Sequence, residues 1–226
     1  MSTLAQMRLF QIASQALPIG GYSHSFGLEA AIESGLIQDE ASVQRWISDV
    51  LLFSMGSYEL PALMDLGDAW SAGDLGGLSR LNGEFLATRE STELRSATVQ
   101  MGYSMNALLA VLPDLPASLI RTLQTMEEPS LPCVWSGAAA AWSIASSDSA
   151  AAYLWSWAEN QVLVAIKAVP LGQSAGQRVL LNVSGRIARL AQQPPTGKAD
   201  MRSNFAPGLA LLSSEHETQY SRLFRS

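Results

Sequence analysis

The stretch LRSATVQMGYSMNALLAVL, residues 94–112, has apolar side chains at alternating intervals of four and three residues. The repeat is formed by Leu94, Thr98, Met101, Met105, Leu108 and Leu112. Such spacing places these side chains along one face of an α-helix, as in a coiled-coil seam. We therefore predict a long helix that buries this face among neighbouring helices and ends at Pro113.

Helical periodicity also dominates the rest of the chain. Asp39 and Asp74 precede further apolar repeats and are suited to cap the helices that follow. Pro61 predicts a kink or break, whereas Pro207 suits the first turn of a last helix, where the N–H that proline lacks would be unpaired. No stretch alternates polar and apolar residues as a strand would. The sequence thus predicts a single all-α domain over the whole chain, with about eight to ten helices and a linker at residues 194–197.

The composition limits what the chain can bind. Charged residues make up 15% of the sequence, against about a quarter in an ordinary soluble domain, while hydrophobic residues reach 48%. With so little polar surface available, we expect a protein partner to cover part of the apolar surface. The net charge of −6 argues against nucleic-acid binding, because a chain without a basic stripe cannot neutralise a row of phosphates.

No segment has the pattern of a membrane anchor or an exported protein. The uncharged run at residues 129–147 consists mainly of Ala, Ser and Gly, so it predicts a buried helix and not a membrane span. Residues 1–15 include Arg8 and several glutamines where a signal peptide needs an unbroken apolar region. The single cysteine, Cys133, cannot form an intramolecular disulfide. We therefore expect a cytoplasmic protein.

The residue types that usually carry chemistry are sparse. The two histidines, His24 and His216, have no neighbours at the spacing of a metal site, so each is a weak metal candidate beside the simpler interpretation of a hydrogen-bonding side chain. Ser23 and Ser25 flank His24, but adjacent residues rarely face each other and no nucleophile elbow is present. Residues 171–177 lack the Gly-Lys-Ser/Thr sequence of a phosphate-binding loop. These observations argue against an enzyme.

Two charged positions allow alternative interpretations. Lys167 stands alone in an apolar stretch, where it either extends its charged end to solvent at a helix C-terminus or points toward a partner. The segment RESTELR, residues 89–95, contains four charges in seven positions. Helical spacing predicts one exposed ion pair between Arg89 and Glu93; if the segment is partly buried, its charges instead form a network that fixes the position of the helix.

The C-terminal stretch, residues 216–226, combines charge with aromatic and apolar side chains. Its apolar and basic members are Tyr220, Arg222, Leu223, Phe224 and Arg225. Protein interfaces are enriched in this mixture, whereas chain ends usually carry undemanding polar residues. We therefore predict a partner-binding tail that is mobile or differently folded in the free chain and becomes ordered when a partner binds.

Four segments of the chain resemble the urease accessory protein UreF family. They are LPIGGYSHSFGLE (residues 17–29), RESTELR (residues 89–95), KAVPLGQ (residues 167–173, continuing to Gly176 and Gln177) and HETQYSRLF (residues 216–224). The second segment has Ser91 where the family motif has threonine. The four segments occur in the family order and are spread over nearly the whole chain, so together they are far more specific than any one of them.

The resemblance implies an all-α, non-catalytic protein, typically a homodimer, that takes part in loading nickel into urease. In this family the protein binds the accessory protein UreD, also called UreH, and then recruits the GTPase UreG, and the complex delivers nickel to apo-urease. No cofactor is held firmly, since nickel passes through the assembled complex. The resemblance places on the GTPase-facing surface Tyr22, Lys167, Gln173 and Arg222. It places at the UreD contact Tyr220, Leu223, Phe224 and Arg225.

Two other functions are compatible with the residues alone. An unrecognised helical enzyme would use His24 or His216 with nearby serines or carboxylates. A helical scaffold would bind partners without any role in metal transfer. Substrate turnover that depends on His24 would favour the enzyme, and urease activation that survives deletion of residues 220–226 would favour the scaffold.

Overall fold

The chain folds into helices joined by short loops. The computed structural model describes residues 1–193 and 202–225, so the linker predicted at residues 194–197 and the last residue of the tail lie outside the described residues. The α-helices are α1 (Thr3–Ala13), α2 (Leu28–Glu33), α3 (Glu40–Val50), α4 (Leu60–Ala72), α5 (Leu75–Ala87), α6 (Thr92–Val111), α7 (Ala117–Gln124), α8 (Leu131–Ala141), α9 (Ser146–Ala168), α10 (Gln173–Gln192) and α11 (Pro207–His216). A π-helix, Leu51–Glu59, joins α3 to α4 without interruption, and a 3-10 turn spans Gly21–Ser23. Because the π-helix joins α3 and α4, the eleven α-helices of the described residues form ten continuous helical segments. This described part of the chain contains no strand, which confirms the all-α prediction.

Helix α6 buries the face that its sequence repeat predicts. Ser91 caps its first turn by accepting a hydrogen bond from Leu94 N at 3.1 Å. The first four positions of the repeat are buried, but at the C-terminal end Leu109 takes the place of Leu108 in the core. The reason is geometric, because a repeat of 3.5 residues drifts around a straight helix of 3.6 residues per turn until a neighbouring position faces inward.

Short polar side chains and proline start three helices as the sequence predicts. Asp39 accepts a hydrogen bond from Ser42 N at 2.8 Å, and Asp74 accepts one from Gly77 N at 2.9 Å. Each carboxylate thereby satisfies an amide that has no partner within its own helix. Pro207 lies in the first turn of α11. The three predicted helix starts are confirmed.

The break predicted at Pro61 does not occur, but the helix changes there from π-helical to α-helical geometry. The π-helix continues directly into α4, and Pro61 lies in the first turn of α4. In a regular α-helix a proline ring clashes with the carbonyl group four residues earlier. Here the Leu60 N–H donates to Met55 O, five residues earlier, and the wider π-helical turn accommodates the ring. The same turn brings Gly56 against α10, where a Cβ would lie 2.9 Å from Leu190 Cδ2.

One main hydrophobic core joins both ends of the chain. Helices α8 and α9 lie at its centre, because α8 packs against α4 and α6 while α9 packs against α1, α2 and α10. Between them, the rings of Trp135 and Tyr153 meet edge to face with centroids 5.3 Å apart. The Trp135 Nε1–H also donates to Ser149 Oγ at 3.0 Å, so the indole nitrogen is satisfied inside the core. Leu9 of α1 and Phe224 of the tail belong to the same core.

Small residues allow α6 and α8 to approach closely. Gly102 of α6 lies against the Pro129 carbonyl group just before α8, with no room for a side chain. Gly137 of α8 allows a similarly close approach to α4, since a Cβ there would lie 2.8 Å from the indole ring of Trp70. The Ala-rich run at residues 129–147 therefore packs inside the protein as predicted. Every helix of the described residues is too short or too polar to cross a membrane.

The contact at Gly102 predicts opposite effects for two glycine substitutions. Gly102→Ala should lower the free energy of unfolding by about 2–3 kcal/mol, because the new methyl group overlaps the Pro129 carbonyl oxygen. Gly83→Ala, at an exposed helical position with nothing within 4 Å of the new Cβ, should raise it by about 0.5–1 kcal/mol. Urea denaturation of both variants measures the difference, and equal effects would contradict the close packing of α6.

Candidate partner-interaction site

Helix α9 fixes the loop that precedes α2. Asn160 Nδ2 donates to His24 O at 2.9 Å, and Gln161 Nε2 donates to Ser25 O at 3.1 Å. Both amide side chains are buried, so the hydrogen bonds form away from solvent, where an unmade one is costly. Gly27 ends the loop with a φ angle of 81°, in the left-handed region that glycine adopts without strain. Helix α9 therefore fixes the position of this loop through two buried hydrogen bonds.

Tyr22 and His24 of this loop differ sharply in exposure. Tyr22 is 58% exposed and available to a partner, whereas His24 is 3% exposed. Burial, and secondarily the charge of Arg225, lowers the pKa of His24 from 6.5 to about 4. His24 is thus neutral at neutral pH and belongs to the interior of the loop.

Glu29, in the first turn of α2, is a buried acceptor that holds the C-terminal tail. The residue is 6% exposed in an otherwise mostly apolar segment. Its Oε1 accepts a hydrogen bond from Leu223 N at 2.6 Å, and its Oε2 accepts one from Phe224 N at 3.0 Å. The same Oε2 lies 2.9 Å from His216 Nε2. These contacts supply what a buried carboxylate needs, because a buried charge without partners is strongly destabilising.

His216, at the end of α11, lies fully buried between two carboxylates. Its Nδ1 is 2.7 Å from Glu93 Oε2 and its Nε2 faces Glu29. Since an ionised carboxylate only accepts hydrogen bonds, both ring nitrogens donate only when the imidazole is protonated. Arg222 Nη1 contacts the other oxygen of Glu93 at 2.7 Å. Two carboxylates therefore face one imidazole and one guanidinium group, and we call Glu29, Glu93, His216 and Arg222 the tail clamp.

The tail clamp replaces the ion pair predicted within residues 89–95. Helix α6 begins at Thr92, so Arg89 precedes the helix and does not lie one helical turn from Glu93. Arg89 instead pairs with Glu59 at 3.0 Å, and Arg95 pairs with Glu128 at 2.7 Å. The prediction of an exposed pair between Arg89 and Glu93 is wrong. The alternative is met in part, because Arg89 and Glu93 are partly buried and pair with residues outside the segment, whereas the pair between Arg95 and Glu128 is exposed.

Lys167 contacts the tail at the end of α9. Its side chain is exposed, and its Nζ lies 5.6 Å from the centroid of the Phe224 ring, which is a cation–π arrangement. The next residue, Arg225, donates its backbone N–H to Ser23 O at 2.7 Å. Lys167 therefore combines the predicted exposed charge at a helix C-terminus with a contact to the tail.

The four motif segments meet at one region of the fold. Glu29 of the first segment and Glu93 of the second hold the fourth segment through His216, and Lys167 of the third segment contacts Phe224. Gln173 lies exposed at the start of α10, and within the described part of the chain no hydrogen bond joins it to the tail clamp. The exposed predicted site residues here are Tyr22, Lys167, Gln173, Tyr220, Arg222, Leu223 and Arg225.

In the single chain, His216, Arg222 and the amides of Leu223 and Phe224 contact side chains of α2 and α6, whereas Tyr220 is fully exposed. That a partner orders the tail stays a prediction. Phe224 is 7% exposed and belongs to the core, so its ring is not an exposed contact for a partner. Burial of an aromatic ring and satisfaction of Glu29 both favour this arrangement.

The sequence reasoning missed Glu29 and the role of Glu93. A signal for Glu29 was present, because it is the only charged residue in the apolar segment 28–32. A lone carboxylate among leucine, alanine and isoleucine indicates a buried acid that requires partners. No local pattern could identify those partners, since they lie near the other end of the chain.

A second buried ion pair lies beside the loop. Arg89 and Glu59 are both largely buried, and the Tyr153 hydroxyl donates to Glu59 Oε1 at 2.5 Å. Burial, followed by the neighbouring Glu59 carboxylate, raises the pKa of Tyr153 well above its usual range, so the hydroxyl stays protonated. These groups line a cavity of about 90 Å³ that extends to Tyr22. Most of the cavity wall is apolar, and Glu59 and Arg89 are its charged members.

Metal and nucleophile chemistry have little support among the described residues. No group of three or more His, Cys, Asp or Glu side chains there is arranged to hold a metal ion. Both ring nitrogens of His216 already face carboxylates, and His24 is buried in its loop. Burial raises the pKa of the Cys133 thiol to about 12, which keeps it in the unreactive protonated form.

The protein is all-α, and the motif residues of the tail clamp hold the C-terminal segment against α2 and α6. A profile of the UreF family matches residues 37–184, a stretch that contains the second and third motif segments. Relatives named urease accessory protein UreF extend the similarity over the first and fourth segments. The protein of Dechloromonas aromatica is 53% identical over 100% of both chains, and that of an Azoarcus species is 50% identical over 99% of this chain and 96% of its own. The protein of Methylobacillus flagellatus is 44% identical over 97% of each chain.

The chain belongs to the UreF family of urease accessory proteins. The family resemblance inferred from the four motif segments is thereby confirmed. The relatives in this family are named accessory proteins, and that name describes a chaperone-type role and not catalysis.

The buried state of His24 predicts a pH-dependent stability. Because the folded chain holds the pKa of His24 near 4 and the unfolded chain has it near 6.5, the unfolded chain binds more protons between these values. The free energy of unfolding should therefore fall as the pH drops from about 6.5 to about 4, by up to ~3 kcal/mol. His24→Gln should remove this part of the slope, as measured by urea denaturation across that range. An identical slope in both proteins would show that His24 is not buried as described.

Proposed function

We propose that this protein acts in the cytoplasm in the maturation of urease, where it binds the accessory protein UreD (UreH) and recruits the GTPase UreG for the insertion of nickel into apo-urease. The observation that carries the proposal is the convergence of the four motif segments on one surface. Its support comes from membership of the UreF family and from exposed side chains of the kinds that dominate protein interfaces.

The exposed motif residues divide into two contacts in this proposal. Tyr22, Lys167, Gln173 and Arg222 face the GTPase. The contact with UreD is made by the tail, where Tyr220 is fully exposed and Leu223 is 72% exposed. Arg225 belongs to the same contact, whereas Phe224 supports the tail from the core and reaches UreD only if the tail is displaced.

The electrostatics of the surface are consistent with an acidic partner. The chain carries a net charge of −6, yet Lys167, Arg222 and Arg225 are exposed in the same tail region. Within the described residues, no carboxylate forms an ion pair with Lys167 or Arg225. Cations that lack an internal partner can pair with carboxylates of another protein and can increase the rate of association.

Nickel is cargo in this mechanism and not a resident cofactor. The protein contributes binding surfaces that hold UreG and UreD in one assembly, and GTP hydrolysis by UreG drives the transfer to apo-urease. We also propose that the protein acts as a homodimer. Exposed apolar side chains on α1, with Leu4 at 65% and Phe10 at 57% exposure, provide surface that such an assembly can cover.

Lys167→Ala and Gln173→Ala test the GTPase-facing surface. Each substitution should weaken UreG binding roughly tenfold or more and reduce urease activation, because interface side chains of this kind contribute on the order of 1–2 kcal/mol. Neither belongs to the tail clamp, so the free energy of unfolding should change by no more than about 1 kcal/mol. Pull-down with purified UreG and urease activity in cells expressing the other accessory proteins provide the two measurements.

Arg80→Ala is the matched control, since Arg80 is an exposed cation on α5 that pairs only with Glu84 in the described part of the chain. It should leave UreG binding and urease activation unchanged. Normal UreG binding by both Lys167→Ala and Gln173→Ala would contradict the proposed surface. Urease activation that survives removal of residues 220–226 would instead favour a scaffold without a role in metal transfer.

A further inference from the structure

We infer that Glu29 is a positioning residue for the partner-binding surface, because its buried carboxylate fixes the C-terminal tail and the tail in turn holds Arg222 and supports Lys167. The inference rests on the proposed function, since it concerns how the GTPase-facing residues are held in place. Glu29 itself is 6% exposed and is therefore not a contact residue for a partner.

Glu29 fixes the backbone of the tail and not only one of its side chains. Its two oxygens accept hydrogen bonds from the consecutive amides of Leu223 and Phe224, at 2.6 and 3.0 Å. With these two amides fixed, the side chains of the two residues take opposite directions: Leu223 is 72% exposed and Phe224 is 7% exposed. A shift of the tail by one residue would exchange these directions and move Arg222 as well.

The other anchors of this region do not replace Glu29. The Ser91 hydroxyl contacts the Ser213 hydroxyl at 2.6 Å, and Glu93 N donates to the Glu217 carboxylate at 3.2 Å. These contacts hold the end of α11 and the residue after it. The Arg225 N–H, which donates to Ser23 O at 2.7 Å, holds the residue that follows Phe224, so Glu29 holds the two amides that lie between these anchors. Burial of the Phe224 ring is favourable but non-directional, so by itself it does not fix the orientation of the backbone.

Both GTPase-facing cations of the tail region depend on this arrangement. Arg222 immediately precedes the first amide that Glu29 holds, and its side chain shares Glu93 with His216. Lys167 rests over the Phe224 ring, whose position follows from the second amide. Loss of the Glu29 carboxylate therefore releases the support of both cations without removing either of them.

Glu29→Gln is the test variant, because glutamine has nearly the same shape but lacks the charge that faces His216 and has one acceptor oxygen fewer. Glu33→Gln is the matched control, since Glu33 lies exposed at the end of the same helix. Hydrogen–deuterium exchange of the C-terminal peptide reports directly on the two amides. In Glu29→Gln the peptide should take up about one more deuteron at early times, for the amide that loses its acceptor oxygen, whereas Glu33→Gln should match the parent protein.

UreG affinity measured on the same proteins should fall roughly tenfold in Glu29→Gln and stay unchanged in Glu33→Gln. A positioning role also predicts non-additivity, which a general loss of stability would not produce. Arg222→Ala should weaken UreG binding much less in the Glu29→Gln background than in the parent protein. Gln173→Ala should retain its full effect in both backgrounds, because Gln173 lies on α10 and not on the tail.

Leu223→Pro provides a second test that leaves helix α2 intact. It removes one N–H that Glu29 accepts, and Leu223→Ala removes the side chain while keeping that N–H. The proline variant should bind UreG more weakly than the alanine variant, and this comparison decides the matter if Glu29→Gln fails to fold. Unchanged amide exchange in Glu29→Gln, or fast exchange with unchanged UreG affinity, would overturn the inference. Neither result affects the proposed function, which fails only if Lys167→Ala and Gln173→Ala bind UreG normally.

Discussion

The burial of the Glu29 carboxylate is the constraint on which the arrangement of both chain ends depends. A charge removed from water is tolerated only when hydrogen bonds and an opposite charge replace its hydration. Helix α2 supplies none of these, and the replacement comes from His216, Leu223 and Phe224, almost two hundred residues later. The C-terminal segment is therefore not an appendage. It is the part of the chain that makes the position of α2 energetically acceptable.

The contacts of Glu29 with the tail are possible because the helical core holds segments that are distant in the sequence close together. Asn160 and Gln161 of α9 hold the backbone of the loop before α2, and Ser91 caps α6 while contacting Ser213 of α11. The carboxylates of Glu29 and Glu93 are thus placed on opposite sides of one imidazole by elements that share the main core. The polar contacts at His216 therefore join elements that apolar packing also holds together.

The sequence predicts the local features of this fold well and its long-range contacts poorly. Helix starts at Asp39, Asp74 and Pro207 follow from single residues and their neighbours, because capping is a local interaction. The π-helix before Pro61 was missed because no local residue pattern indicates it, and Gly56 within it is in close contact with Leu190 of α10, far along the chain. The partner of Arg89 was misassigned because the start of α6, set by the Ser91 cap, leaves Arg89 outside the helix. The motif segments single out candidate residues, but only the fold shows that the four segments meet.

The polar contacts of the tail clamp fix one alignment of the tail, which apolar packing alone would not do. Replacing a buried ion network by well-packed apolar groups often costs no stability, so the network is weak evidence for stability as such. Its contribution is geometric, since hydrogen bonds to two consecutive amides admit one alignment of the tail whereas apolar burial admits several. The proposed interface, which presents separate residues from four segments, would require that single alignment. The same buried carboxylate that holds α2 and the tail together therefore also determines where Arg222 and Lys167 stand at the surface.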